Sequence, residues 1–273
     1  MSLPAHHTKH LQILDYPLNA AQTIRLTQLD DGKSNGTALW LGGQCLSLYL
    51  AEHIRSIAPR YSSGARPKAL DLGSGIGLTP LTLASLGWDV LATDIDPVLA
   101  VLHQNIAQNS AVLPAGSGSI ETRELDWTVP PEKWTWLDDK AIASHTDPRP
   151  TVTAPILVPP FELIVTSDTI YSIELIRPLF RTLHGLCVVS SRSSPHRRSP
   201  AVYVCIERRE SALIDSALSE AKSVWGFNVV RISHDRIVKA MKKGGVEWND
   251  DDWGGVEIWK MVLDKKTVAG LKA

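Results

Sequence analysis

Short apolar runs alternate with amphipathic segments from residue 68 onward, a pattern typical of parallel strands joined by helices. The predicted strands cover residues 68–72, 89–93, 120–124, 161–166, 201–207, 227–232 and 256–262. The predicted helices cover residues 79–86, 97–109, 173–184 and 210–224. This order predicts an α/β fold with a mostly parallel seven-stranded sheet and helices on both faces.

The pattern before residue 68 is different. Residues 11–29 predict two short strands around a Pro/Asn turn. Farther on, Leu46, Leu50 and Ile54 stand at helical spacing, and the helix they predict ends before Pro59.

These patterns predict one structural domain with a leader. We expect residues 1–60 to pack on a core formed by residues 61–273. Two polar or proline-rich stretches, near 128–160 and 190–200, are interpreted as surface insertions, with partner-binding loops as the alternative.

Composition narrows the classes of function. The 28 basic residues nearly cancel the 29 acidic ones, so no overall field favours nucleic acid or an anionic membrane. The chain has no apolar stretch of about 18 residues, and its first ten residues lack the apolar core of a secretory signal. We therefore expect a cytoplasmic protein, with the nucleus as an alternative location.

Neither cysteine nor histidine indicates a metal site. The three cysteines lack metal-ligand spacing and are interpreted as small buried residues: Cys45, Cys187 and Cys205. Three of the nine histidines lie in an N-terminus that we expect to be frayed: His6, His7 and His10. The others are scattered, and the sequence predicts no bound metal.

A glycine-rich loop follows the first predicted strand of the main sheet. In "KALDLGSGIGLTP" the glycines are Gly73, Gly75 and Gly77, where a backbone free of side chains lets a ligand approach. A dinucleotide-binding loop has its third glycine at the sixth position, but that position is Leu78 here. The chain also lacks a Gly-Lys-Ser/Thr ending, which excludes a phosphate-gripping P-loop.

Acidic residues beside this loop point to its ligand. Asp71 precedes the loop, where a carboxylate suits a cationic or amine-bearing ligand and opposes a pyrophosphate. Asp94 ends the next strand and can accept hydrogen bonds from both hydroxyls of a ribose. Asp96 competes for that role, but Asp96-Pro97 also resembles a helix start, so we assign Asp94 to the ribose and Asp96 to capping. S-Adenosylmethionine, a sulfonium nucleoside without phosphate, fits this set.

Three further segments extend the pattern. They are "GTALWLGG" upstream, "ELDW" after the third strand, and "FELIVTSDTIYSIELIRPLFRTL" at the fourth. The ordered set resembles the fungal-type family-16 protein-lysine methyltransferases over residues 24–209. The resemblance implies a Rossmann-like class I methyltransferase fold.

The resemblance also implies a site for S-adenosylmethionine, with S-adenosylhomocysteine as product. In the family, the glycine loop wraps the methionine portion of the cofactor, and the residue matching Asp94 holds the ribose. The pair matching Asp126 and Trp127 frames the adenine, and the residue matching Trp40 lies against the cofactor. The implied cofactor-binding residues are Trp40, Asp71, Gly73, Ser74, Gly75, Gly77, Asp94, Ile95, Asp126, Trp127 and Ser167.

The most specific element is the D-x-x-Y signature after the fourth strand, which runs here from Asp168 to Tyr171. It distinguishes this family from nucleic-acid methyltransferases, which often carry N/D-P-P-Y/F at that place. We expect Asp168 to orient the incoming lysine amine rather than act first as a general base, because a carboxylate pKa near 4 matches an ammonium poorly. Burial could raise this pKa, which leaves the general-base role as the alternative. We expect Tyr171 to form a wall of the lysine channel.

Simpler interpretations remain open for these residues. Trp40 and Trp127 could be core aromatics, and Tyr171 could simply pack its ring. Asp168 could cap the following helix, and Asp126 could be a turn residue.

Two other clusters carry weaker indications. "SSRSSPHRRSP" at residues 190–200 could contact RNA or an acidic partner, although a mobile surface loop is favoured. Near the C-terminus, Trp248, Trp253 and the acidic run 250–252 either line a substrate entrance or form a solvated turn. Trp259 belongs to the last strand and is expected in the core.

The sequence therefore predicts a protein-lysine N-methyltransferase that acts on a translation-related or chaperone protein. We expect a monomer whose partner is a protein presenting a lysine, with no membrane association and with nucleic acid disfavoured. The alternatives are methylation of RNA or a small molecule, or a non-catalytic scaffold that binds the cofactor.

Overall fold

The computed structural model describes residues 2–19, 21–29, 35–54, 66–146 and 156–264. Its strands are β1 (Ile13–Pro17), β2 (Thr23–Thr27), β3 (Lys68–Leu72), β4 (Asp89–Asp94), β5 (Ile120–Leu125), β6 (Ala141–Ala143), β7 (Leu163–Ser167), β8 (Ala201–Glu207), β9 (Phe227–Arg231) and β10 (Val256–Leu263). Its helices are α1 (Leu41–His53), α2 (Leu78–Ser85), α3 (Val98–Asn109), α4 (Ile173–Ser193), α5 (Ser211–Ser223), α6 (His234–Lys243) and α7 (Asp250–Trp253).

A sheet of eight strands runs through the described part of the chain in the order β6-β5-β4-β3-β7-β8-β10-β9. The strands from β6 to β8 are parallel, and β10 is antiparallel to both β8 and β9. The predicted α/β class with a mostly parallel sheet is confirmed, but the predicted number of seven strands is wrong, because β6 adds an eighth strand at the edge. The strand order reverses at β3, whose neighbours are β4 and β7, and such a switch point opens a cleft at the carboxyl ends of the strands.

Alternate residues of the parallel strands feed two apolar cores, one on each face of the sheet. Along β7, Leu163 and Val165 join one core, whereas Ile164 between them joins the other. The first core includes residues of α1, α2, α3 and α6, and the second includes residues of α4 and α5. The helices thus cover both faces and leave the carboxyl edge for the site.

The leader forms a hairpin of β1 and β2 that is separate from the main sheet. Two asparagine side chains of α3 bind the backbone of β2 as a further strand would. The N–H groups of Thr27 and Arg25 donate to Asn105 Oδ1 and Asn109 Oδ1, each at 2.8 Å. The amides in turn donate to the oxygens of Thr27 (3.0 Å) and Arg25 (2.7 Å). These bonds satisfy the backbone edge that β1 does not reach.

The polar stretch near 190–200 is helical at its start, so the prediction of an insertion there is wrong in part. Helix α4 extends to Ser193 rather than ending at residue 184. Ser190 and Ser191 are buried, and Ser190 Oγ accepts the backbone N–H of Phe161 at 3.2 Å. Ser191 Oγ donates to the oxygen of Cys187 at 2.7 Å. Small serines with local hydrogen bonds let the helix continue where composition indicated a loop.

Three elements were not predicted. Strand β6 pairs with β5 inside the stretch 128–160, of which residues 147–155 lie outside the described part. Helices α6 and α7 follow β9, and α6 buries Ile237, Ala240 and Met241 on one face. Strand β6 and helix α7 span only three and four residues, which carry little periodic signal. Helix α6 spans ten residues, and the helical spacing of its buried face was present in the sequence but was not recognised.

The N-terminus is packed rather than frayed. Pro4, Ala5 and Thr8 are buried, and a short 3₁₀ helix spans residues 5–7. Trp248 Nε1 donates to the oxygen of Ser2 at 2.7 Å, so the start of the chain is held by a segment near its end. None of the described helices is both long and apolar enough to cross a membrane.

Candidate active site

A cleft of about 740 Å³ lies at the carboxyl edge of the sheet. Eleven of the predicted site residues line it: Trp40, Gly73, Ser74, Gly75, Asp94, Ile95, Asp126, Trp127, Ser167, Asp168 and Tyr171. Asp71 and Gly77 do not contribute to its lining. The volume falls within the usual range of small-molecule sites, about 300–1,000 Å³.

The glycine loop needs its glycines for two different reasons. Gly73 has φ +73°, and a Cβ there would lie 2.9 Å from Thr169 Cγ2 and 3.1 Å from Trp127 Cζ2. At Gly77, with φ +95°, a Cβ would instead lie 3.0 Å from Leu102 of α3. Gly73 therefore keeps the cleft open beside Trp127, whereas Gly77 allows α2 and α3 to pack.

Asp71 is a buried carboxylate without a full set of partners. Asp71 is about 2% exposed, and its Oδ2 has no hydrogen-bond partner among the residues that the structure describes. Burial raises the pKa of Asp71 to about 7. Its backbone oxygen accepts Ser74 Oγ (3.1 Å) and Thr93 Oγ1 (2.8 Å), which fix the start of the loop. Because Asp71 does not line the cleft, its predicted contact with a cationic ligand group stays a prediction.

Asp94 is bound by the backbone around it. Its Oδ2 accepts the N–H of Gly75 and its Oδ1 accepts the N–H of Ile95, both at 2.9 Å. Burial raises the pKa of Asp94 to about 6, and these N–H groups limit the rise. Each oxygen keeps lone-pair capacity, so the carboxylate is oriented and still able to accept ribose hydroxyls.

The capping role predicted for Asp96 is wrong. Helix α3 begins at Val98 with Pro97 at its N-cap, and no side-chain hydrogen bond caps it. Proline takes the cap position itself, which moves the helix start one residue beyond the expected place. Asp96 is exposed and lines the cleft beside Asp94.

Asp126 holds the turn that presents Trp127. Its Oδ1 accepts the N–H of Thr128 (2.8 Å) and Thr128 Oγ1 (2.6 Å), and its Oδ2 lies 3.6 Å from His145 Nε2. Arg181 Nη2 donates to the backbone oxygens of Trp127 (2.9 Å) and Thr128 (2.8 Å). The turn interpretation of Asp126 thus holds together with its place in the cleft. Trp127 is half-buried at the cleft wall rather than enclosed in the core.

Asp168 lies against the N-terminus of α1. It follows β7 with φ +56°, and its N–H donates to the oxygen of Cys205 at 3.0 Å. Its Oδ2 accepts the N–H of Gly43 at 3.3 Å, and a Cβ at position 42 would lie 2.5 Å from that oxygen. A helix N-terminus favours an anion, and the side-chain-free Gly42 allows the carboxylate to reach it. The alternative that Asp168 caps α4 is wrong, since Ser172 occupies that N-cap.

The pKa of Asp168 is raised to about 7. Burial is the largest cause and the carboxylate of Glu207 adds to it, whereas the N–H groups of Gly42 and Gly43 and the charge of Arg209 oppose it. The alternative that burial raises this pKa is therefore confirmed. Near neutral pH this carboxylate is a far better proton acceptor than an ordinary aspartate.

Tyr171 is 51% exposed and lines the cleft, so the alternative of a ring packed in the core is wrong. Burial and the nearby carboxylate of Asp94 raise the pKa of Tyr171. The phenol stays protonated and can donate a hydrogen bond within the cleft.

Three charged residues beside Trp40 were not identified from the sequence. Glu207 and Arg209 line the cleft at the end of β8, and Arg209 Nη2 pairs with Glu207 Oε2. The Arg209 Cζ lies 5.0 Å from the centroid of the Trp40 ring, and Lys9 Nζ lies 3.5 Å from it. The core alternative for Trp40 is wrong, because the half-buried ring faces cations and the cleft. The charged run "ERRE" at a strand end was the available signal for Glu207 and Arg209.

The segment with Trp248 and Trp253 does not line the cleft, so the substrate-entrance hypothesis is wrong. Trp253 is buried and its ring stacks on His234 at 5.2 Å. Trp259 is half-buried and packs against the second core, and its Nε1 donates to Glu257 Oε2 at 3.0 Å. These tryptophans serve packing rather than the site.

One group of possible metal ligands lies at the packed N-terminus. Ligand atoms of His6, His7 and Asp252 all lie within 4.8 Å of one another. His6 Nε2 is 3.3 Å from Asp252 Oδ1. Asp252 is too far along the chain from the two histidines for sequence spacing to reveal the group. The absence of a bound metal stays a prediction. The three cysteines are free and buried, as predicted.

Comparisons with known proteins identify related sequences. Residues 19–141 match the family model described as lysine methyltransferase. Protein-lysine N-methyltransferase rrg1 of Schizosaccharomyces pombe is 36% identical over 117 residues, covering 41% of this chain and 33% of that one. Methyltransferase-like protein 22 of Mus musculus is 27% identical over 126 residues, covering 43% of this chain and 28% of that one. The matched part thus spans about a third or less of these relatives' length.

The structure of the CcbJ methyltransferase from Streptomyces caelestis covers 86% of this chain and 94% of that one, with 10% identity and a TM-score of 0.47. The sequence match carries more information, because residues 19–141 include α1, the glycine loop, Asp94 and the Asp126-Trp127 pair. It ends before Asp168. Over residues 19–141 the predicted resemblance is confirmed, since this part of the chain is similar to the family described as lysine methyltransferase.

Proposed function

We propose that this chain is an S-adenosylmethionine-dependent protein-lysine N-methyltransferase. The observation that carries the proposal is the position of Asp168. Its carboxylate is held by the N-terminus of α1, has a pKa raised to about 7, and shares one cleft with the glycine loop. A proton acceptor beside a nucleoside-binding loop is what transfer to an amine requires.

The residues around the loop fit the proposed cofactor. Asp94 lines the cleft and is oriented to accept ribose hydroxyls, whereas Asp71 supports the glycine loop through its backbone oxygen. The carboxylates of Asp94, Asp96 and Asp126 line the cleft and oppose a pyrophosphate. When bound, S-adenosylmethionine would supply a methyl group on a positively charged sulfur: a neutral amine would form a bond to the methyl carbon as the carbon–sulfur bond breaks, and S-adenosylhomocysteine would be the leaving group.

The protein's own task is to position the amine and take its proton. A lysine ammonium has an ordinary pKa of about 10.4, so it must lose a proton before it can attack. Asp168 can accept a hydrogen bond from the ammonium and then the proton itself, which a pKa near 7 makes easier than a pKa near 4. Tyr171, exposed in the same cleft, can orient the amine through its ring or hydroxyl.

The proposed substrate is a protein that presents a lysine, from the translation or chaperone machinery, as the family resemblance implies. The proposed location is the cytoplasm, with the nucleus as the alternative, and the proposed state is a monomer. The relatives named above are protein-lysine methyltransferase and methyltransferase-like proteins, which supports a protein substrate for this chain.

Tritium transfer from labelled S-adenosylmethionine into a cell lysate tests the proposal. We expect label that survives ribonuclease and is lost on protease digestion, and that falls at least a hundredfold with Asp168→Ala. Label removed by ribonuclease, or found only in small molecules, would contradict it. Tight cofactor binding without any transfer would indicate a scaffold instead.

A further inference from the structure

We propose that Trp40, Asp168 and Glu207 form the seat of the substrate's ammonium group, and that Arg209 occupies this seat until the substrate enters. The proposal rests on the proposed function for the nature of the amine. It adds a binding site for the side chain being modified and a resident cation that competes for it.

Trp40 is the aromatic surface of the seat. Its ring already lies near two cations of the chain, with Lys9 Nζ at 3.5 Å and the Arg209 Cζ at 5.0 Å from the ring centroid. Among aromatic side chains, indole attracts cations most strongly. Since Trp40 is the N-cap of α1, its position is tied to the helix end that binds Asp168.

Two carboxylates complete the seat. Strands β7 and β8 are neighbours, and the N–H of Asp168 donates to the oxygen of Cys205, two residues before Glu207. Both acids line the cleft, and the charge of Glu207 raises the pKa of Asp168. Two acids close together are stabilised by one cation between or beside them, which Arg209 supplies by its pairing with Glu207.

Arg209 can leave this place at little cost. Its side chain is 55% exposed, so the guanidinium can return to water, and exposed ion pairs contribute little to stability. A lysine ammonium that enters replaces the lost charge for both carboxylates. Glu207 raises the pKa of Arg209, so the resident guanidinium stays protonated and cannot itself accept a methyl group.

The test measures amine binding without methyl transfer. The probe is Nα-acetyl-lysine methylamide, titrated into full-length protein that is labelled with ¹⁵N at tryptophan and saturated with S-adenosylhomocysteine. The readout is the indole N–H signal of Trp40, assigned by its loss in Trp40→Phe. The variants are Arg209→Gln, Arg209→Lys and Glu207→Gln.

Arg177→Gln is the matched control. Arg177 is also an exposed arginine paired with a glutamate, Glu220 at 3.7 Å, but neither residue lines the cleft. This substitution changes the net charge of the protein as Arg209→Gln does. It therefore separates loss of the resident cation from a general electrostatic effect.

We expect Arg209→Gln to bind the probe about three- to tenfold more tightly than wild type, because a competitor of cation–π and ion-pair strength is gone. Arg209→Lys should restore the wild-type affinity, and Glu207→Gln should weaken binding about three- to tenfold. Equal affinities in wild type, Arg209→Gln and Arg177→Gln would overturn the proposal. A Trp40 signal that does not shift with the probe would overturn it as well.

Failure of the proposed function would look different. Calorimetry with S-adenosylhomocysteine and the tritium assay report on cofactor binding and transfer, whereas the Trp40 signal reports on the amine alone. An active enzyme whose Arg209→Gln variant binds no more tightly refutes only the seat. If the protein binds the probe as described but transfers no methyl group, only the proposed methyltransferase function is refuted.

Discussion

At the scale of single residues, the position of the Asp168 carboxylate depends on an absent side chain. Gly42 leaves room for Asp168 against the helix end, whereas its neighbour Gly43 supplies the N–H. Adjacent glycines thus have separable roles. A Cβ at Gly42 would collide with the carboxylate, but a Cβ at Gly43 would meet only Ser167 Oγ, at 3.5 Å.

We expect Gly42→Ala to reduce methyl transfer at least tenfold while S-adenosylhomocysteine affinity changes less than threefold. The reason is that the new Cβ forces Asp168 away from its N–H donors. Gly43→Ala is the control, since it keeps the N–H and favours the helix equally, by about 1 kcal/mol. Equal losses of activity in the two variants would show that the collision has no catalytic consequence.

We expect substitutions of Asp94 and Asp168 to affect different steps, cofactor binding for Asp94 and methyl transfer for Asp168. Asp94→Ala removes the acceptor proposed for the ribose and frees the N–H groups of Gly75 and Ile95. We expect calorimetry to show a loss of S-adenosylhomocysteine affinity of tenfold or more. Asp168→Ala should leave that affinity within a few-fold and lower kcat instead. A reversal of this order would contradict both assignments.

At the scale of elements, Asn105 joins three parts of the chain. Its side chain pairs with both backbone groups of Thr27 in β2, and its Nδ2 also donates to the oxygen of Ile76 in the glycine loop at 3.0 Å. The residue is fully buried. One amide on α3 therefore connects the leader hairpin to the cofactor loop.

We expect Asn105→Ala to lower the free energy of unfolding by about 2–4 kcal/mol, because one buried and two partly buried backbone groups lose their partner. Urea titration measures this loss. Gln104→Ala, one residue earlier on the exposed side of α3, should change stability by less than about 0.5 kcal/mol. If Asn105→Ala changed the free energy of unfolding as little as Gln104→Ala, water would have replaced the hydrogen bonds of the Asn105 amide.

The predictability of elements follows from how local their causes are. The glycine loop, Asp94 and the D-x-x-Y segment each follow directly after a predicted strand. Because this pattern is local in the sequence, all three could be predicted. Glu207 and Arg209 acquire meaning only because β8 lies beside β7 and α1 brings Trp40 there. The extension of α4 depends on tertiary burial of Ser190, which composition cannot reveal.

At the scale of the whole molecule, burial of acids makes stability depend on pH. The folded protein raises the pKa of Asp71 and Asp168 to about 7 and that of Asp94 to about 6, all from 3.8. Between these values the folded state binds more protons than the unfolded state, so stability falls as pH rises through this range. The lowered pKa of His184 acts in the opposite direction, but it is a single group.

We expect the ligand-free protein to have a lower thermal midpoint at pH 8 than at pH 5.5. Asp168→Asn should reduce that difference, because an amide does not titrate and so no buried negative charge forms at that position as the pH rises. Differential scanning fluorimetry at both pH values measures this. A midpoint difference unchanged by the substitution would show that Asp168 is not destabilised by burial.

The contact between α1 and Asp168 links the packing of the leader to the chemistry proposed for the cleft. The helix is anchored by Leu46 and Leu50, both fully buried, and its first turn holds the acid that the chemistry needs. If the leader comes loose, the nucleoside loop can persist while the acid loses its anchor. Under the proposed function, such a misassembled protein would still bind S-adenosylmethionine but would not transfer its methyl group. Methyl transfer would therefore require a correctly packed leader.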